Sequence, residues 1–218
     1  MKIVFLHFYK KISTLFLYTK TRGFIIPLAL LICVIILAIA TSISTILSKE
    51  VYFSRLSRQS QVAYYAADNG MMCATMVDDS YVDPATGSGI FPYDPLLSPD
   101  AHMQNTLAAV NIQRGFKGYP SLTLNSIKCA TSDIFNQAVT GFSVGAYSRI
   151  NSSGVTENGK SSLFAMRMDL GDGTVRCATI IVNKTANYRQ IISRGFSSCG
   201  GSGLQTIERA VVSTSELR

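Results

Sequence analysis

From Gly23 to Ser48 the chain carries no charged side chain, and its apolar centre, Phe24 to Ala40, reads FIIPLALLICVIILAIA. At ~1.5 Å rise per residue a helix over that centre covers about 25 Å, and continuing it to Leu47 gives about 36 Å, enough to cross a bilayer once. Pro27 would fall in the first turn, where its missing N–H has no partner to lose. The hydroxyls of Thr41, Ser42, Ser44 and Thr45 can return hydrogen bonds to carbonyls one turn back, so they cost little where the helix leaves the hydrocarbon. The chain as a whole, 218 residues at 47% hydrophobic and 15% charged, is too apolar for disorder and too polar for several spans. One soluble domain behind one apolar segment fits.

Charge and cysteine point to export of that domain. The formal charge of +7 is uneven: Lys2, Lys10, Lys11, Lys20 and Arg22 precede the apolar run without an acid, leaving only +2 for the rest. A basic flank of this kind is kept on the cytoplasmic side, so the N-terminus is expected inside and the C-terminal part outside, although Lys49, Arg55 and Arg58 reduce the contrast. Cys33 lies within the run, and Cys73, Cys129, Cys177 and Cys199 form an even set beyond it. In an oxidising compartment they allow two disulfides by any of three connectivities, and Cys73 with Cys129 and Cys177 with Cys199 pairs sequence neighbours. Ala38-Ile39-Ala40 offers a second processing route, signal peptidase cleavage releasing a soluble protein. Leu30-Leu31-Ile32 lacks the small residues of a lipoprotein signal before Cys33.

The basic-to-apolar switch, Lys20-Thr21-Arg22-Gly23-Phe24, resembles the leader junction of type IV prepilins and type II secretion pseudopilins. Beyond the run, Ala63-Tyr64-Tyr65-Ala66-Ala67-Asp68-Asn69-Gly70 is similar to the Tyr-Ala-Ala-(Asp/Glu)-x-Gly segment of PilX-type minor pilins, and Ile207-Glu208-Arg209-Ala210-Val211 is a looser match. The resemblance implies cleavage by prepilin peptidase between Gly23 and Phe24, methylation of the new Phe24 N-terminus, and anchoring through Phe24, Pro27, Leu28, Leu31, Val34 and Leu37. It marks Tyr65, Ala66, Ala67, Asp68 and Gly70 as family positions. The partners implied are other pilin or pseudopilin subunits, an inner-membrane assembly platform and the cytoplasmic membrane, with a cell-surface filament as destination. Counting from Phe24, the fifth residue is Leu28, where most such subunits carry a glutamate that neutralises a neighbour's terminal amine in the apolar filament core. Its replacement by leucine implies a minor subunit, acting in initiation or at the tip.

The expected organisation is a leader over 1–23, a long helix over 24–77 with its transmembrane half at 24–47, a loop-rich acidic segment over 78–121 with a short helix at 101–110, and an antiparallel β head over 122–218. This is an α+β fold. In the helix, Val51, Leu56, Val62, Tyr65, Met72 and Met76 form an imperfect apolar stripe expected to pack on the head, and Gly70 permits close approach of a strand or a kink. Strands are expected at Gly141 to Ile150, Phe164 to Asp169, Thr174 to Val182, Tyr188 to Ser193 and Thr206 to Ser213, with Gly171-Asp172-Gly173 as a hairpin turn. Val175, Cys177, Thr179 and Ile181 share one strand face, aiming Cys177 at the core or at a disulfide partner.

Chemistry is hard to place on this chain. H-E-x-x-H and C-x-x-C motifs are absent, and His7 and His102 stand alone, so neither an enzyme nor a cofactor or metal site is expected. Loop carboxylates such as Asp78, Asp79 and Asp83, or Asp169 and Asp172, suggest calcium by composition but miss the EF-hand spacing. Residues 68–100 carry six acids and no Lys or Arg, and residues 114–218 carry twelve basic and six acidic residues. That asymmetry suits docking of neighbouring heads, or nucleic acid capture by the basic half, although its arginines are scattered singly as on a solvated surface. The alternative from another class is an exported, signal-anchored or secreted surface binding protein unrelated to pili.

Overall fold

The computed structural model describes residues 25–129, 132–169, 174–199 and 206–216. In chain order these form α1 (Ile25–Ser80), α2 (Pro99–Phe116), a 3-10 turn (Leu124–Ser126), β1 (Lys128–Cys129), β2 (Ser132–Asp133), α3 (Gln137–Thr140), β3 (Ser143–Ile150), β4 (Thr156–Asp169), β5 (Val175–Lys184), β6 (Tyr188–Phe196) and β7 (Glu208–Glu216). The fold class is α+β, a long apolar N-terminal helix with a five-stranded antiparallel sheet. Two compact units divide the chain between Ser54 and Arg55.

In the first unit, α1 is exposed at every side chain from Leu31 to Ser54. It is long and apolar enough to cross a membrane. Its hydroxyls turn back on the helix: Ser42 donates to the Ala38 carbonyl at 2.9 Å and Ser48 to Ser44 at 2.9 Å, whereas Thr41 and Thr45 reach carbonyls three residues back. Each satisfies its own donor without a partner chain, which is what an apolar surround demands.

In the second unit, β3 to β7 form a meander in which every neighbour in sequence is a neighbour in the sheet. The register sets Phe164 opposite Ile180 and Ile180 opposite Ser193. One face buries Phe164, Met166 and Met168 of β4, Ala178, Ile180 and Val182 of β5, and Ile191 and Ser193 of β6. Phe91 stacks on Phe164 with ring centroids 5.8 Å apart, and Phe135 and Phe142 extend the aromatic cluster. Helix α2 adds Met103 and Leu107. It starts at Ser98, whose hydroxyl accepts from the Ala101 N–H, with Pro99 in its first turn, both strong start signals.

Several boundaries differ from the sequence expectation. α1 continues to Ser80 and α2 runs to Phe116 rather than 110. The short helix α3 was not expected, and Gly141 closes it at φ 66 so that β3 begins only at Ser143. Gly171-Asp172-Gly173 lies outside the described residues, although Asp169 pairs with Val175 on either side of it. On β5 the buried face is Ala178, Ile180 and Val182, not the face of Val175, Cys177, Thr179 and Ile181. Apolar residues occur at both parities of this strand, so alternation alone was ambiguous. The decision rests on Ala178, the small residue that lets α1 approach.

Candidate functional site

The second half of α1 divides its residues, Ala63 to Gly70 among them, between two surfaces. Ala63, Ala66, Ala67, Gly70, Ala74 and Val77 recur at helical spacing and are buried. This face of small residues brings the helix backbone close to β5 and β6. A Cβ added at Gly70 would sit 3.1 Å from Ala178 Cβ and press on the Ser193 hydroxyl, and one added at Gly195 would overlap the Ala63 carbonyl and the Ala67 amide. Gly70 therefore serves close approach of strands.

The stripe named from sequence is present, but it faces outward. Tyr65, Met72 and Met76 are 64%, 61% and 59% exposed; Val51 and Tyr64 are also exposed, Leu56 marginally so, and Val62 half-buried. Large side chains on the inner face would have held the helix off the sheet, so the small residues face in and the bulky ones remain outside. Asp68 is half-buried beside this outer face.

At the C-terminal end of α1 the chain buries charge. Asp78 and Asp79 lie in the last turn, where the helix dipole disfavours carboxylates and no basic residue of the helix compensates. The compensation comes from the sheet: Lys184 of β5 donates to both Asp78 oxygens, and Arg189 of β6 donates to Asp78 at 3.0 Å and to Asp79. Burial lowers the Lys184 pKa, opposed by Asp78. For Arg189 burial works against the charge, but hydrogen bonds to Asp79 and Asp78 outweigh it and raise the pKa. Part of the charge asymmetry between the acidic and basic halves is thus satisfied within one chain. His102 is buried beside this cluster, its ring nitrogen 3.2 Å from the Gly89 carbonyl and its ring edge-to-face with Tyr93. Nothing in the sequence nominated Lys184, Arg189 or His102 as neighbours of Asp78; contact order that long leaves no local signal.

Cys73 on α1 is bonded to Cys129 on β1, and Cys177 on β5 to Cys199, with Cα separations of 5.9 and 5.2 Å. Cys33 is free and exposed. Loop carboxylates are used by their own loops: Asp83 accepts from the Ala85 N–H and the Thr86 hydroxyl, and Asp94 from the Leu96 N–H. Among the described residues no group of three His, Cys, Asp or Glu side chains converges. Pro27, Leu28, Leu31, Val34 and Leu37 all lie on α1, and all but the half-buried Pro27 are exposed. Gly23 and Phe24 lie outside the described residues.

No family model, curated protein or solved structure matches the chain. The arrangement itself is a non-polar helical segment, a helix fastened to the five-stranded sheet by small residues and buried ion pairs and to β1 by a disulfide, and an outward stripe of tyrosine and methionine.

Proposed function

We propose that the protein is a minor pilin-like structural subunit of a type IV pilus or type II secretion pseudopilus, acting in filament initiation or at the tip. The observation that carries this reading is that a single helix, α1, supplies both the exposed apolar run and the small-residue face packed on an antiparallel sheet. The junction Lys20-Thr21-Arg22-Gly23-Phe24 supports it from sequence, and the outward Tyr65, Met72 and Met76 supply an apolar surface for helix contact with other subunits. In this reading prepilin peptidase removes residues 1–23, the apolar run holds the subunit in the cytoplasmic membrane with its head outside, and the assembly platform transfers it to the filament. The role is structural and asks for no cofactor.

The mature N-terminus tests it. Mass spectrometry of the protein from membranes is expected to find an N-methylated residue at Phe24, and Gly23→Leu is expected to block cleavage while leaving insertion intact. A start at Thr41 would instead mark release after Ala38-Ile39-Ala40 and support the exported binding protein, and a retained Met1 would mean an uncleaved anchor.

A further inference from the structure

The two edges of the sheet are not equivalent. β3 carries Gly145, and its Arg149 lies over the Tyr188 ring at 3.6 Å and pairs with Glu157, features that blunt a strand edge. From Ala210 to Ser215, β7 has no charge, proline or glycine, and it is rich in β-branched residues. The Ser197 N–H donates to the Ile207 carbonyl, and the register continues through Gly195 opposite Arg209. Hydrogen-bonded pairs alternate in an antiparallel ladder, so Ala210, Val212 and Thr214 direct their main-chain N–H and C=O groups away from β6.

Beside this edge lies an open depression of about 320 Å³ lined by Ser60, Gln61, Tyr64, Tyr65 and Arg209. Arg209 Nε donates to Ser60 Oγ at 2.8 Å, which fixes the guanidinium at the rim. Among the described residues no carboxylate pairs with it; the adjacent Glu208 faces Arg194. The edge asks for extended backbone, and the unpaired guanidinium beside two half-exposed tyrosines asks for an acid.

We propose that β7 accepts an extended acidic segment of a partner protein as a sixth strand, with a carboxylate of that segment seated on Arg209 beside Tyr64 and Tyr65. The inference needs only this edge and groove and stands apart from the filament reading, since its test does not involve processing or assembly.

The test is amide hydrogen exchange on the full chain in detergent, with a blocked peptide of alternating valine and threonine that begins with glutamate as the probe. Exchange at Ala210, Val212 and Thr214 is expected to slow by about tenfold at ~1 mM peptide, and much less when glutamine replaces the glutamate or in Arg209→Gln. Val212→Pro removes an outward N–H and spares the ladder to β6, so it is expected to abolish the slowing while circular dichroism stays unchanged; Thr214→Lys, which blocks the edge by charge, is the second variant. Unchanged exchange at these three amides, or equal slowing by the two peptides, would overturn the proposal. Slowing without peptide that grows with protein concentration would overturn it in favour of pairing between copies.

Discussion

Lys184 Nζ lies 2.8 and 2.9 Å from the two carboxylate oxygens of Asp78, with the two side chains only 1% and 2% exposed. The pair ties the last turn of α1 to the end of β5 across 106 residues of chain. Buried this deeply, each charge needs partners in place of water; Asp78 also accepts from Arg189 and the Phe91 N–H, whereas Lys184 gives both of its hydrogen bonds to Asp78.

Asp78→Ala is therefore expected to destabilise the fold by about 3–5 kcal/mol, leaving Lys184 buried without its carboxylate partner. Lys184→Met in the same background is expected to restore much of the loss. Urea denaturation of the detergent-solubilised full chain measures both; an Asp78→Ala change below about 1 kcal/mol would show that the pair contributes specificity rather than stability.

Burial lowers the His102 pKa from 6.5, against the raising effect of the Gly89 carbonyl, with Lys184, Asp78 and Asp94 also facing it electrostatically. The unfolded chain then takes up its proton before the folded chain does, so stability falls as pH drops from 6.5 to the lower folded-state pKa and changes no further from this group below it. Denaturation midpoints between about pH 7.5 and 5.5, an assay range of about two units, are expected to slope in the native chain and to flatten in His102→Gln. Parallel slopes would mean that other groups carry the acid sensitivity.

Gly195→Ala is expected to cost more than Gly70→Ala. At Gly195 the added methyl meets helix backbone, which cannot rotate away, while at Gly70 it meets the Ser193 and Ala178 side chains and gains about 1 kcal/mol of helix propensity. Thermal midpoints give the order directly, and a reversed order would place the closest approach elsewhere.

Tyr65→Ser and Met72→Gln are expected to change stability by less than about 0.5 kcal/mol, since both side chains stand outside the core. Under the proposed function the same substitutions reduce incorporation into filaments. Equal loss of folded protein and of incorporation would return these residues to the core.

Under the proposed function, Leu28 implies low copy number. Counted from Phe24 it occupies the position where a carboxylate would neutralise a neighbour's terminal amine, and an unpaired charge in apolar surroundings costs several kcal/mol each time the contact repeats. Quantitative mass spectrometry of purified filaments is expected to find this chain well below the major subunit, and Leu28→Glu is expected to raise its incorporation. Finding it the most abundant component would end the minor-subunit reading.

The parts of this molecule legible in the sequence are those governed by local rules: the uncharged run that sets α1, the presence of α2 though not its start at Ser98-Pro99, and the strands on both sides of Gly171-Asp172-Gly173. These signals lie within a few residues of the structure they specify, so no knowledge of partners is needed. What only the tertiary structure decided is which side faces in. Tyr65, Met72 and Met76 fit a core stripe by hydrophobicity yet are exposed, and Val175, Cys177, Thr179 and Ile181 fit a core face by alternation yet lie half-buried on the face opposite Ala178 and Ile180, where Cys177 takes its disulfide partner. The reason is distance. A helix resting on two strands at Gly70 and Gly195 leaves room only for alanine and glycine between them, and that steric condition, like the meeting of Asp78 with Lys184 and Arg189, exists only once residues far apart in the chain have come together.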